Sequence, residues 1–193
     1  MASKFLQRLA QRTGPLIVLD LEATCSRDET VPKKAMEIIE IGAVVVDETL
    51  CAFDSYQAFV RPVRHPTLTD FCRRLTTITQ AEVDGAATLT EVTPSFRRWI
   101  ESTGARLWAS WGMFDRLLFA REFAYRGISS PLPATHINLR ACFEEVVSPG
   151  PVDFQTALSK AGLSFQGQQH RGIDDARNTA RLLPVITQRL DAP

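Results

Sequence analysis

The sequence predicts an α/β layer fold, a mixed five-stranded sheet flanked by helices. Three observations predict it. Apolar, β-branched runs come first, at Leu16–Leu21, Ile38–Glu48 and Ala52–Pro62. From Thr93 onward the apolar spacing becomes helical. Two short apolar runs, Arg106–Ser110 and His136–Leu139, then alternate with helical stretches, the order expected when later strands lie parallel to the first.

Each element has a local cause. Leu16–Leu21 follows Gly14-Pro15 and is the most apolar run, so it should be the central strand. Ile38–Glu48 and Ala52–Pro62 are close enough to pair as an antiparallel hairpin, and Pro62 and Pro66 mark the exit into a loop. Thr93 reads as a helix N-cap with Pro94 at the first helical position, Phe96, Trp99 and Ile100 as the apolar stripe, and Gly104 just past the end. A helix from Met113 to Tyr125 stops at Gly127. Further helices are expected over Arg140–Val147, over Asp153–Ala161 and from Asp174 onward, the last kinked or ended by Pro184, which removes the bond to the carbonyl of Ala180.

Bulk composition narrows the function classes. The 193 residues suit one domain, read as 15–190 behind a short N-terminal extension, 1–14, with at most a short amphipathic turn of helix. Equal numbers of basic and acidic residues, 22 each, argue against a partner held by bulk electrostatics alone. Cys25, Cys51, Cys72 and Cys142 are scattered, with no zinc or disulfide spacing, and are expected as reduced core residues. The N-terminus is too polar for a signal peptide or membrane span, so the expected location is cytoplasmic, away from membranes.

The chemistry concentrates in carboxylates. Leu16–Glu22 reads LIVLDLE, a buried strand ending in two acids one residue apart. Strand alternation points Asp20 and Glu22 the same way, toward the C-terminal strand end where open α/β sheets place their chemistry. Left unpaired, such charges would cost on the order of several kcal/mol. Asp115 stands in the first turns of a helix after a strand, and His170 lies five residues before Asp175 in HRGIDDARN. Taken singly, each has a plain reading as a solvated strand end, a helix-start acid or a surface histidine. Together they make one constellation. Oxygen-only carboxylate clusters suit Mg²⁺ or Mn²⁺, two such ions can clamp a phosphoryl displacement, and a neutral histidine can take the proton of the attacking water. His65 and His136 lack acidic neighbours of this kind and read as structural or solvated.

VLDLEAT, the Asp within SWGMFD, and HRGIDDARN resemble the three motifs of the DEDDh family of 3′→5′ exonucleases, in the right order from about Leu16 to Leu183. The H-x4-D spacing matches the histidine subtype, and DFCRRLTTITQAEVD (Asp70–Asp84) with HINLR looks like the Eri-type exoribonuclease branch. The resemblance implies an RNase H-like fold and two Mg²⁺ or Mn²⁺ ions held by Asp20, Glu22, Asp115 and Asp175, with His170 as general base. Asp20 would bridge both ions, Asp174 would cap the helix, and a nucleoside 5′-monophosphate would leave. The implied substrate is single-stranded RNA or an RNA 3′ overhang, with DNA as the alternative and a catalytically silent nucleic-acid-binding module as a further one. A metal-dependent phosphatase would need a nucleophile or a different spacing. Ala23 and Thr24 would lie against the terminal nucleotide, Met36 and Trp111 are candidates for base stacking, and Glu40 would hold the active-site strand by hydrogen bonds. Arg171, Arg177, Arg181, Arg73-Arg74 and Arg97-Arg98 could form a local basic rim. No separate RNA-binding module is expected beside the domain, and the oligomeric state is left open.

Overall fold

The most apolar strand does run through the middle of the sheet. In the computed structural model, which describes residues 3–190, β1 (Leu16–Ala23), β2 (Ile38–Val46), β3 (Ala52–Phe59), β4 (Leu107–Ser110) and β5 (Thr135–Asn138) form one sheet in the order β3–β2–β1–β4–β5. β1–β2 and β2–β3 are antiparallel, while β4 and β5 run parallel to β1, giving the mixed sheet that the sequence predicts. Every residue of β2 is buried and β3, at the edge, is largely exposed.

Alternation along β1 divides the core. Leu16 and Val18 pack with Val44 and Val46 under α6 (Leu139–Val146), α8 (Gly172–Ala180) and α9 (Leu183–Leu190). Ile17, Leu19 and Leu21 pack on the opposite face with Phe96 of α4 (Leu89–Thr103) and Phe119 of α5 (Phe114–Arg126). A smaller cluster of Ile39, Leu68, Cys72, Ile78 and Val83 lies under α2 (Asp70–Thr76) and α3 (Gln80–Asp84). The remaining helices are α1 (Lys4–Ala10) and α7 (Phe154–Lys160). No helix among the described residues is long and apolar enough to cross a membrane.

Several local expectations need correction. α4 begins at Leu89, capped by Thr88, because Thr88 and Glu91 form a reciprocal capping box that captures the chain before Thr93 can. Pro94 therefore lies inside the helix, and Thr93 instead returns its hydroxyl to the carbonyl of Leu89 at 2.6 Å. At Pro184 the expected end, not a kink, is what occurs. α8 stops at Ala180, four residues earlier, where the carbonyl would have needed the missing proline N–H, and Pro184 falls in the first turn of α9. Residues 1 and 2 of the N-terminal extension lie outside the described residues, but Ser3 caps α1, whose Leu6 and Leu9 join the main core. Of the four free thiols, only Cys72 and Cys142 are buried. Cys25 is half-buried, and Cys51 is exposed at the hairpin turn, where its N–H bonds Asp47 Oδ1.

One contact sets how closely α8 approaches the sheet. A Cβ placed on Gly42 of β2 would lie 2.0 Å from the carbonyl carbon of Gly172 and 2.1 Å from the backbone nitrogen of Ile173. A Cβ on Gly172 would in turn meet the Asp20 carbonyl oxygen at 3.1 Å and the Gly42 nitrogen at 3.2 Å. Backbone meets backbone here, so no rotamer change can make room. Gly42→Ala should therefore lower unfolding free energy by about 3 kcal/mol in urea titration. The control Gly85→Ala, whose added carbon meets only the Ala81 carbonyl oxygen at 3.3 Å, should cost far less. Equal effects of the two substitutions would contradict this packing.

Candidate active site

The site forms where β1 outruns its parallel neighbour. β4 pairs with β1 only from Leu16 to Val18, so the Leu21 N–H has no ladder partner on that side. Asp115, second residue of α5, accepts it at 3.1 Å. This bond ties the helix start to the strand end and places the Asp115 carboxylate beside Asp20, on which it exerts the strongest repulsion of any neighbouring charge.

Across the hairpin, Asp20 lies opposite Gly42 and Glu22 opposite Glu40, so the three acids share the face on which α8 rests. Glu40 is completely buried. Its Oε2 accepts from the Gly172 N–H at 3.1 Å and from Arg171 Nε at 3.2 Å, and its Oε1 from Gln57 Nε2 at 2.7 Å. Glu40 thus fastens the loop entering α8, rather than the active-site strand expected from the sequence, because its side chain crosses the face toward the helix and not along the ladder.

The loop turns back at His170, whose φ of 58° lies in the left-handed region rarely used by side-chain-bearing residues. That turn brings one ligand atom each of Glu22, His170 and Asp175 within 4.8 Å of one another. Asp174 does not cap α8. The N-cap is Arg171, and Asp174 accepts from the Gln168 N–H at 2.9 Å and pairs with Arg177 at 3.2 Å, so its carboxylate faces away from the cluster.

The electrostatics separate this cluster from the other buried acids. Glu37 accepts the N–H groups of Val63, Arg64 and His65 at 2.9, 2.7 and 2.8 Å and pairs with Arg126 at 3.1 Å. Glu122 pairs with Arg126 at 2.8 Å and with Arg64. Each of these acids, like Glu40, has an arginine. Among the described residues no lysine or arginine forms an ion pair with Asp20, Glu22, Asp115 or Asp175. Burial, then mutual repulsion, pushes Asp20 and Glu22 well above the usual carboxylate range. Burial likewise raises Asp115 to about 7 against the opposing Leu21 hydrogen bond, and Asp175 to about 7. Four oxygen donors with no protein cation fit a hard divalent ion well, and the three-residue grouping of Glu22, His170 and Asp175 could hold one. Partial desolvation lowers the pKa of the otherwise exposed His170, which favours the neutral imidazole able to accept a proton. His136 is structural: it is buried against Trp108, bonds Ser110 at 3.0 Å and falls to about 4.

The other sequence candidates lie as follows. Thr24 is buried and doubly bonded to the Glu37 backbone, its N–H to the carbonyl at 2.8 Å and its Oγ1 from the N–H at 2.9 Å, so Ala23-Thr24 forms a fixed wall after Glu22. Met36 is half-buried, and Arg121 holds its carbonyl at 3.0 Å. Trp111 is half-buried and packs against the edge of the core on Phe143 and Phe154, ring centres 5.8 and 5.3 Å apart. Phe114 and Leu117, 50% and 62% exposed on α5 beside Asp115, escaped the sequence reading. The apolar residue immediately before Asp115 was the available signal for Phe114.

The exonuclease family RNase_T matches residues 17–183. The chain is similar to "ERI1 exoribonuclease 2" of Danio rerio, 33% identical over 196 residues, covering 89% of this chain and 35% of the relative. It is also similar to the "3'-5' exonuclease Snipper" of Drosophila melanogaster, 30% identical over 203 residues, covering 94% of this chain and 72% of the relative. Among solved structures, the nuclease domain of 3'hExo, a DEDDh family member, bound to rAMP, superposes with a TM-score of 0.82 at 28% identity, covering 90% of this chain and 92% of that one. The chain spans about a third of the length of the first of these relatives, at 35%.

The raised carboxyl pKa values make a stability prediction. Each such acid holds its proton more tightly folded than unfolded, so its contribution is full below the unfolded value near 4 and is lost as pH rises through about 7. In EDTA, the thermal midpoint should therefore fall between pH 5.5 and pH 8, by a free-energy change on the order of a few kcal/mol. Asp115→Asn should flatten that fall. A midpoint that rises over the same interval would contradict the assignment.

Proposed function

The chain belongs to the RNase_T exonuclease family, in its Eri-type DEDDh branch, and we propose that it is a divalent-metal-dependent 3′→5′ exonuclease acting on RNA or short oligonucleotides. The observation that carries the proposal is a quartet of acids without a protein cation, Glu22, Asp115 and Asp175 buried and Asp20 half-buried, flanked by His170. Asp20, Glu22, Asp115 and Asp175 would hold two Mg²⁺ or Mn²⁺ ions. When bound, such ions supply positive charge that offsets the phosphodiester and eases deprotonation of water.

The protein's own groups account for the rest. His170 accepts a proton from the attacking water, a role suited to an imidazole whose pKa partial desolvation lowers. Glu40, through Arg171 and Gly172, keeps the His170 loop and Asp175 at the strand end. The water oxygen bonds to phosphorus, the bond from phosphorus to the 3′ oxygen breaks, and that oxygen takes a proton from solvent. A nucleoside 5′-monophosphate leaves, and the shortened strand keeps a 3′ hydroxyl. The Ala23-Thr24 wall would border the terminal nucleotide, which limits the site to chain ends. Preference for RNA is the reading supported by the relatives named as exoribonucleases, and it requires contact with the 2′-hydroxyl.

The test uses 5′-labelled RNA and DNA of one sequence with Mg²⁺, Mn²⁺ or EDTA. The expected result is a metal-dependent ladder shortening from the 3′ end, faster on RNA. Asp20→Asn should abolish it and His170→Ala should slow it by about 10²–10⁴-fold. Internal cuts, or a ladder that persists in EDTA, would contradict the mechanism.

A further inference from the structure

The mechanism leaves unused two thiols beside the catalytic strand. Cys25 stands three residues past Glu22, in the segment that continues β1, and Cys72 lies in the first turn of α2. Distant in the chain, they are joined by one side chain. The Thr69 hydroxyl accepts the Cys72 N–H at 3.0 Å and donates to the Cys25 carbonyl at 2.6 Å. The Cys72 thiol reaches the Ala23 carbonyl at 3.5 Å, and Cys25 packs on the same apolar cluster that holds Cys72.

The two sulfurs also meet directly. The Cys25 thiol and the Cys25 backbone N–H both donate to Cys72 Sγ. The thiol's bond lowers the Cys72 pKa to about 7 and raises that of Cys25, so a thiolate forms within the pair near neutral pH. Cys72 is buried and Cys25 half-buried, which makes Cys25 the side open to a small reagent. A metal reading fits the pair poorly. Among the described residues, the three-ligand grouping of Glu22, His170 and Asp175 includes neither thiol, and no other such grouping forms around them. The remaining cysteines stand apart, Cys142 in the core with Phe143 and Cys51 exposed at the hairpin turn.

We propose that Cys25 and Cys72 are a redox pair that a hydroperoxide converts to a disulfide. A thiolate of the pair attacks one peroxide oxygen, the O–O bond breaks, and a sulfenic acid and a first water result. The other sulfur then attacks the sulfenic sulfur, the S–S bond forms, and the S–O bond breaks with release of a second water. The two sulfurs lose two electrons in all, which the peroxide takes up, and a dithiol reverses the step by exchange. A disulfide holds its sulfurs at about 2.05 Å, far inside hydrogen-bonding separation, and removes the thiol proton that faces the Ala23 carbonyl. The segment after Glu22 is therefore drawn toward α2 while Thr24 stays bonded to the Glu37 backbone. The bond itself is independent of the exonuclease reading. Its consequence rests on that reading: strain at the Ala23-Thr24 wall slows hydrolysis.

The test uses Cys51→Ser, which removes the exposed thiol, and Cys51→Ser/Cys25→Ser. Each is treated with hydrogen peroxide in EDTA, freed of peroxide, alkylated under denaturing conditions and digested with trypsin. Mass spectrometry of Cys51→Ser should show residues 13–27 joined to residues 65–73, lighter by two hydrogens than the separate peptides. The linked species should vanish after dithiothreitol, and Cys142 should remain alkylated. With Mg²⁺ or Mn²⁺, the oxidised single variant should shorten 5′-labelled RNA several-fold more slowly than the reduced one. Dithiothreitol should restore that rate, and the double variant should keep its own rate through the treatment. Recovery of the two peptides unlinked, as thiols or as sulfinic and sulfonic acids, would overturn the pair. A linked chain that cuts as fast as the reduced one would overturn its effect on the site. Cleavage in neither state would end the exonuclease reading, and the linked peptide would still decide the pair.

Discussion

The structure depends on a place where two backbones touch. Gly42 in β2 and Gly172 at the start of α8 leave no room for a side chain between helix and sheet. Everything delivered by the segment around α8 follows from that approach. Asp175 reaches the face of Asp20 and Glu22, the His170 loop turns back beside them, and the buried Glu40 carboxylate spans the remaining gap to the Gly172 N–H. A wider separation would leave Glu40 unsatisfied in the interior and pull the third motif away from the first.

The fold treats its buried acids in two ways, and the contrast carries the functional argument. Glu37, Glu122 and Glu40 are neutralised by arginines or backbone N–H groups, and they lock the Val63–His65 segment, α5 and the α8 loop in place. Asp20, Glu22, Asp115 and Asp175 gather at one strand end and, among the described residues, none of them pairs with an arginine or lysine. Keeping them ionised and unpaired is costly, and either retained protons or bound cations offset that cost. Structural acids surround the site and fix its walls, and the unpaired ones face into it.

Much of this was legible in the sequence, for reasons that can be named. Alternation put Asp20 and Glu22 on one face, a strand followed by a helix placed Asp115 at the strand end, and the spacing of His170 and Asp175 allowed a loop and a helix start to converge. What escaped depended on contacts distant in the chain. Nothing around Gly42 announces that Gly172 will touch it, and Glu40 gives no local sign that it will bind the α8 loop. Trp111 read equally as a core residue or a base-stacking one, and its half-buried ring rests against Phe143 and Phe154, far along the chain. The start of α4 was a different kind of miss, since the Thr88–Glu91 capping box was there to be read but a proline drew the boundary to Thr93.

The most direct measurement is isothermal titration of Mn²⁺ into the metal-free protein at pH 7, repeated in buffers of different ionisation enthalpy. If cations compensate the unpaired acids, binding must displace protons held by carboxyls whose pKa lies near 7. The observed heat should therefore depend on the buffer and report net proton release, and Asp20→Asn should weaken binding sharply. Binding that releases no protons, or that survives Asp20→Asn unchanged, would contradict the assignment of these four acids as the cation site.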